Sequence, residues 1–234
     1  GNKNTLAASK TKSITDGHSI AMDFEVKIDS TTTLYMSPSF SKSEMKNMKN
    51  MKKVIQEIQE LFLTRGMDQY GEDVTQQEHA VQCYILAVEH NASLELRAAA
   101  FLHDIGHLVY NPEDGLHIDM KHEVFGSQLL LDWGFGEKVS QLVASHVWAK
   151  RYLVSNEPYY INRLSAASLK SFQMQGGLMS DEESSEMRKS AYFTECLNLR
   201  RWDDQGKRFD LDSQIPKEVW SDLELCLSIN QSIG

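Results

Sequence analysis

The stretch AAAFLHDIGHLVYN, residues 98–111, constrains this 234-residue chain more than any other. Its apolar positions suit a helix bound for a core, yet it carries His103, Asp104 and His107 within five consecutive residues. Left unpaired in an apolar interior, each such group costs several kcal/mol. A chain folding around this segment must bring compensating groups to it from elsewhere.

The remaining sequence offers only helices to do so. Met45, Met48, Met51, Ile55, Ile58 and Phe62 recur at three- and four-residue steps, which predicts a helix with an apolar face, stopped by Gly66. Thr75 and Glu78 form a capping box ahead of QEHAVQCYILAVEHN, and Ser180 with Glu183 repeats the device. Helical segments also cover HEVFGSQLLLDWG, EKVSQLVASHVWAKRYL, LSAASLKSFQMQGG and AYFTECLNLRRWDD, and Pro216 opens a last one. No sustained strand alternation and no repeat appears. The predicted class is therefore all-α: a loosely structured polar extension over residues 1–42, with DFEVKID as one short strand, and a helical core over 43–234.

Composition narrows the partners. A net charge of -9 argues against a nucleic-acid surface, and no apolar run approaches the roughly 20 residues that span a bilayer. Cys83, Cys196 and Cys226 are scattered, giving neither a thiolate metal site nor a disulfide framework. No secretory signal is visible, and the start at Gly1 is expected of a processed terminus. A cytoplasmic protein is the resulting expectation; the sequence leaves its oligomeric state open.

Polar residues interrupt apolar faces elsewhere too. His79 lies on the stripe of Cys83 and Leu86, His146 on that of Val139, Leu142, Val143 and Ala149, and Asp203 on that of Tyr192, Cys196 and Leu199. His122 opens its helix, where free backbone N–H groups attract acceptors. With His103 and Asp104 these make four imidazoles and two carboxylates directed into a helical interior, the way bundles assemble metal centres. An all-N/O set suits Fe, Mn or Zn, and six donors exceed what one structural zinc needs, so two ions are expected. His107, one turn after His103, shares its face and can ligate or meet a substrate. Lys150 follows His146 by one turn and Arg200 precedes Asp203 by about one, so each cation is placed to meet an anion beside the metals.

The order of these residues resembles the HD-domain superfamily: a His (His79), a His-Asp dyad (His103-Asp104) and a distal Asp (Asp203), with His122 and His146 as in its binuclear subset. QQEHAVQC, FLHDIGH, KHEVFGSQLLLDWGF, SHVWAKRYLV, MQGG and LRRWDDQGK are similar, in order, to the phosphonate-cleaving mixed-valent diiron oxygenases, over about residues 65–230. The resemblance implies two iron ions, mixed-valent Fe(II)/Fe(III), on His79, His103, Asp104, His122, His146 and Asp203, with Asp104 as the bridge. It also places Lys150, Ser168, Ser171 and Arg200 around the phosphonate, with His107 and Gln175 nearby. The family's loop before the first ligand helix carries a Tyr three residues ahead of a Glu. Here it reads DQYGED, so Glu72 aligns, Tyr70 is shifted by one, and Gln69 takes the ungapped Tyr position. The resemblance gives Tyr70 and Glu72 substrate contacts, with Glu72 suited to an ammonium or trimethylammonium group.

The implied activity uses O2 as co-substrate to cleave the C–P bond of a small hydroxyphosphonate, 2-amino-1-hydroxyethylphosphonate or an N-methylated analogue. Phosphate and glycine, or a related carboxylate, are the implied products. No GxGxxG is present, and the chemistry needs no nicotinamide or flavin. Two alternatives stay open on the sequence. An HD-type phosphohydrolase needs only His79, His103, Asp104 and Asp203, and a non-catalytic binding protein could retain the metal pocket.

Overall fold

The computed structural model describes residues 8–12, 22–27, 33–36, 42–69, 72–109, 121–209, 211 and 214–231. The chain divides into two compact units, Gly1–Lys53 and Val54–Gly234. In the first, β1 (Ala8–Lys12), β2 (Met22–Lys27) and β3 (Thr33–Met36) form an antiparallel sheet in the order β1-β2-β3. Lys10 pairs with Phe24 and Phe24 with Met36. The expected strand is β2; of the two flanking ones, β1 (ASKTK) is polar and β3 (TLYM) spans only four residues. The ladder pairs backbones, and segments of four and five residues carry too little alternation to read.

Everything described after the sheet is helical or turn, as the sequence predicts: α1 (Lys42–Arg65), α2 (Gln76–Glu89), α3 (Leu94–Leu102), α4 (Ile105–Val109), α5 (His122–Asp132), α6 (Glu137–Asn156), α7 (Ala166–Met174), α8 (Asp181–Arg188), α9 (Phe193–Gln205) and α10 (Lys217–Gln231). Both capping boxes form, Thr75 with Glu78 and Ser180 with Glu183. The stripe on α1 is buried only from Val54, Ile55, Ile58 and Phe62 onward, and Met48 stays 38% exposed.

The core is built around α3, which packs against α2, α6, α9 and α10. Ala98, Ala99, Ala100, Phe101 and Leu102 are essentially inaccessible, and the small alanines let neighbouring helices approach closely. Phe101 stacks on Phe62 of α1 with centroids 4.7 Å apart, and Arg97 leaves the same helix to pair with Asp222 of α10 at 3.0 Å. Burying one such phenyl ring contributes about 2–3 kcal/mol.

The segment expected as one helix breaks in two at the dyad. α3 ends at Leu102, His103 and Asp104 form the turn, and α4 restarts with the His107 N–H donating to the Asp104 carbonyl at 2.9 Å. Gly106 explains how α5 reaches this turn. A Cβ there would lie 2.1 Å from the His122 carbonyl oxygen, so only glycine lets the first turn of α5 press against α4. That contact sets His122 beside the dyad.

Candidate metal centre and anion pocket

Six donor residues from five parts of the chain converge: His79 of α2, the His103-Asp104 turn, His122 of α5, His146 of α6 and Asp203 of α9. Asp104 stands between two groups. Its Oδ2 lies 3.7 Å from His79 Nε2 and 3.6 Å from His103 Nε2. Its Oδ1 lies 3.4 Å from His122 Nε2 and 3.6 Å from His146 Nε2. Asp203 closes the first group, with Oδ1 3.3 Å from His79 Nε2 and Oδ2 3.9 Å from His103 Nε2.

The far sides of the rings fix their tautomers. His79 Nδ1 donates to the Gly206 carbonyl at 2.8 Å, His103 Nδ1 to that of Ala100 at 3.0 Å, and His146 Nδ1 to that of Val143 at 2.7 Å. A carbonyl only accepts, so each Nδ1 carries a hydrogen, and Nε2 is the atom each ring turns to the centre, free to give a lone pair to a cation once it carries no proton. His79 and His103 then face each other Nε2 to Nε2 at 3.1 Å, and His122 and His146 do so at 3.0 Å. Such close approaches suit a shared cation better than two bare imidazoles. Glu123 stands behind His122, its Oε2 3.6 Å from Nδ1, buried and without a hydrogen-bond partner of its own among the described residues. This chemistry fits a pair of metal ions, with His79, His103 and Asp203 on one side of Asp104 and His122 and His146 on the other.

Electrostatics prepares the same state. Burial opposes the charge on Asp104, but His103, His122 and His107 outweigh it and hold the carboxyl well below its ordinary value. Burial likewise opposes Asp203, yet Arg200 first and His79 next hold it well below the carboxylate range. Burial lowers His103 and His146, keeping both neutral as ligands must be. At His79 burial works against the imidazolium, but Cys83 and Asp203 prevail and raise its pKa. Burial pushes the Cys83 thiol up, so it is a neutral group packed 3.9 Å from His79, donating to the Trp202 carbonyl at 3.5 Å. Asp203 is the partner that sustains the His79 proton until a cation replaces it.

A cavity of about 370 Å³ opens beside the cluster, with His79, Asp104, His107, His122, His146 and Asp203 along its inner wall. His107 stacks on His122 with centroids 4.0 Å apart. Lys150, Lys170, Arg200 and Lys207 also line the cavity. Arg200 Nη1 reaches Asp203 Oδ2 at 2.6 Å, its Nε reaches Asp204 Oδ2 at 3.0 Å, and its Nη2 donates to Ser168 Oγ at 3.2 Å. Arg200 thus links a metal-side carboxylate to the anion pocket. Lys150 donates to Ser171 Oγ at 2.7 Å; burial, followed by the nearby Arg200 charge, lowers its pKa to about 8. Gln175 lines the cavity, and its Oε1 is buried without a hydrogen-bond partner among the described residues.

Lys207 is a cavity residue the sequence reading did not select. It lies four residues after Asp203, just beyond the end of α9, and donates to Glu72 Oε1 at 2.7 Å and Ser168 Oγ at 3.1 Å. Its one-turn offset from Asp203 was the available signal, the same that singled out Lys150 and Arg200. Glu72 therefore meets a cation of the chain itself. Gln69 donates to the Asp73 carbonyl at 3.3 Å within its own loop, and Tyr70 lies outside the described residues.

A helical domain with a carboxylate-bridged histidine cluster beside a basic cavity defines the class, and comparison with known proteins specifies it. Residues 77–164 match the HD domain family model. The hydroxymethylphosphonate dioxygenase of Gimesia maris is 41% identical over 172 residues, covering 72% of this chain and 85% of that protein. The [1-hydroxy-2-(trimethylamino)ethyl]phosphonate dioxygenase (glycine-betaine-forming) of Leisingera caerulea is 37% identical over 159 residues, covering 65% and 80%. The chain belongs to the HD-domain phosphonate dioxygenase family and is an oxygenase. Among the described residues, no helix is long and apolar enough to cross a membrane.

Proposed function

We propose that this oxygenase uses O2 and two iron ions to cleave the carbon–phosphorus bond of a small 1-hydroxyphosphonate, releasing phosphate and a carboxylate. The observation that carries the reading is Asp104, which offers one oxygen to His79 and His103 and the other to His122 and His146. A hydrolytic HD enzyme needs only the first of these groups; the second gives a further ion its own donors beside the same cavity.

The reaction balances without another reductant. A 1-hydroxyphosphonate and O2 contain the atoms of the carboxylic acid and phosphoric acid, and the substrate supplies all four electrons that reduce O2. When bound, the iron pair supplies the electron transfer and acidifies the substrate hydroxyl.

The chain supplies placement and charge. Arg200 and Lys150 hold the phosphonate oxygens, with Ser168 and Ser171 fixing the directions of both cations. Because Arg200 also binds Asp203, the anion and the cluster are held in one register. His107, packed against His122, and Gln175, whose acceptor has no partner among the described residues, face the substrate from the side. The known relatives act, by their names, on hydroxyphosphonates that differ in the C1 substituent. The candidates here are hydroxymethylphosphonate, 2-amino-1-hydroxyethylphosphonate and the N-trimethyl analogue.

The test is phosphate release by iron-loaded enzyme offered these three compounds under air and under argon. Phosphate formed from at least one of them only in air is the expected result. Equal release under argon identifies a hydrolase, and none in air rejects the reading.

A further inference from the structure

Glu72 and Lys207 both line the cavity, and their pairing bears on the substituent that C1 can carry. Glu72 Oε1 accepts from Lys207 Nζ at 2.7 Å and from Ser165 Oγ at 2.6 Å. Lys207 Nζ also donates to Ser168 Oγ, the hydroxyl that accepts from Arg200. The carboxylate is thus joined, through one lysine, to the anion-binding cluster. The Lys207 and Glu72 side chains are 16% and 24% exposed, so water screens their attraction only in part.

A carboxylate on a cavity wall is the natural receptor for a substrate ammonium. Here an ammonium is already on it, held by a chain tethered four residues beyond Asp203. A substrate with its own positive charge would have to displace Lys207 or lie beside it, with Lys150 and Arg200 lining the same cavity. A dianionic phosphonate with an uncharged substituent meets only attraction from those three cations.

We propose that the Glu72–Lys207 pair is a specificity device that excludes 1-hydroxyphosphonates bearing a cationic substituent. It selects those in which C1 carries hydrogen or a small uncharged group. This inference rests on the functional reading above and narrows its substrate class.

The experiment compares the iron-loaded enzyme on hydroxymethylphosphonate, 1-hydroxyethylphosphonate and 2-amino-1-hydroxyethylphosphonate in air. Like-charge exclusion predicts a kcat/KM for the two uncharged substrates about 100-fold above that for the amine. In Lys207→Met that ratio should shrink at least about tenfold, through the KM of the amine. In Glu72→Gln the preference should persist, whereas a carboxylate that received the substrate ammonium would lose the amine selectively. A binding arm needs no turnover: methylphosphonate should raise the Tm of the wild type more than 2-aminoethylphosphonate does, and Lys207→Met should narrow the difference.

Wild-type preference for the amine, or a ratio unchanged in Lys207→Met, overturns the inference while leaving C–P cleavage intact. Should Lys207→Met fail to fold, Glu72→Gln and the wild-type Tm comparison still decide. Absence of phosphate from these three and from the N-trimethyl analogue rejects the functional reading instead, and the Tm comparison then decides the pair's preference alone; phosphate from the N-trimethyl analogue alone overturns the inference.

Discussion

Arg200 and Asp203 sit one turn apart on α9 and meet at 2.6 Å, so one buried ion pair joins the histidine–carboxylate cluster to the basic lining of the cavity. The guanidinium is buried, and Asp203 first and Asp204 next raise its pKa against the effect of burial. It is a permanent cation with a fixed direction. The cluster and the basic lining of the cavity therefore share this one side chain.

Removing that cation should harm stability as well as binding. Arg200→Ala leaves Asp203 and Asp204 buried without their partner, a situation that costs about 3–5 kcal/mol. Urea unfolding should register that loss. In whatever fraction folds, the KM for the phosphonate should rise at least about 100-fold, as expected when one member of a buried charge pair is truncated.

Lys150 predicts an alkaline limb. With its pKa lowered to about 8, the free enzyme loses this cation as pH rises through about 8. Because kcat/KM reports the free enzyme, it should fall above that pH, and Lys150→Arg should abolish the limb. The stability contribution has the opposite sign. Between about 8 and the ordinary lysine value of 10.5 the unfolded chain binds a proton that the folded one does not, so this group adds stability as pH rises.

Gly106→Ala tests how the second donor group is placed. The added methyl would meet the His122 carbonyl at 2.1 Å, and overpacking of this kind costs about 1–3 kcal/mol. The expected outcome is a lower Tm together with loss of the ion on His122 and His146, while His79, His103 and Asp203 keep theirs. Metal analysis of the purified variant reads both groups.

Much of this was legible because interior helices leave a periodic trace. Thr75 with Glu78, and the stripes carrying His79 and His146, follow from spacing alone, and the structure brings their side chains to one centre. The break at His103-Asp104 was not legible. The apolar period runs on through it, and the close approach of α5 at this turn joins Gly106 to His122, 16 positions away in sequence. The Glu72–Lys207 pair joins residues 135 positions apart, and Lys207 read by itself is an ordinary cation after a helix end. β1 and β3 escaped for a different reason: backbone pairing needs no particular side chains.

Two ions sharing Asp104 are what the proposed chemistry requires, and iron content per chain measures them. Anaerobically reconstituted wild-type enzyme should hold two irons, His122→Ala one, and Asp104→Ala none. A wild type that saturates at a single iron, with His122→Ala retaining the same amount, would contradict it.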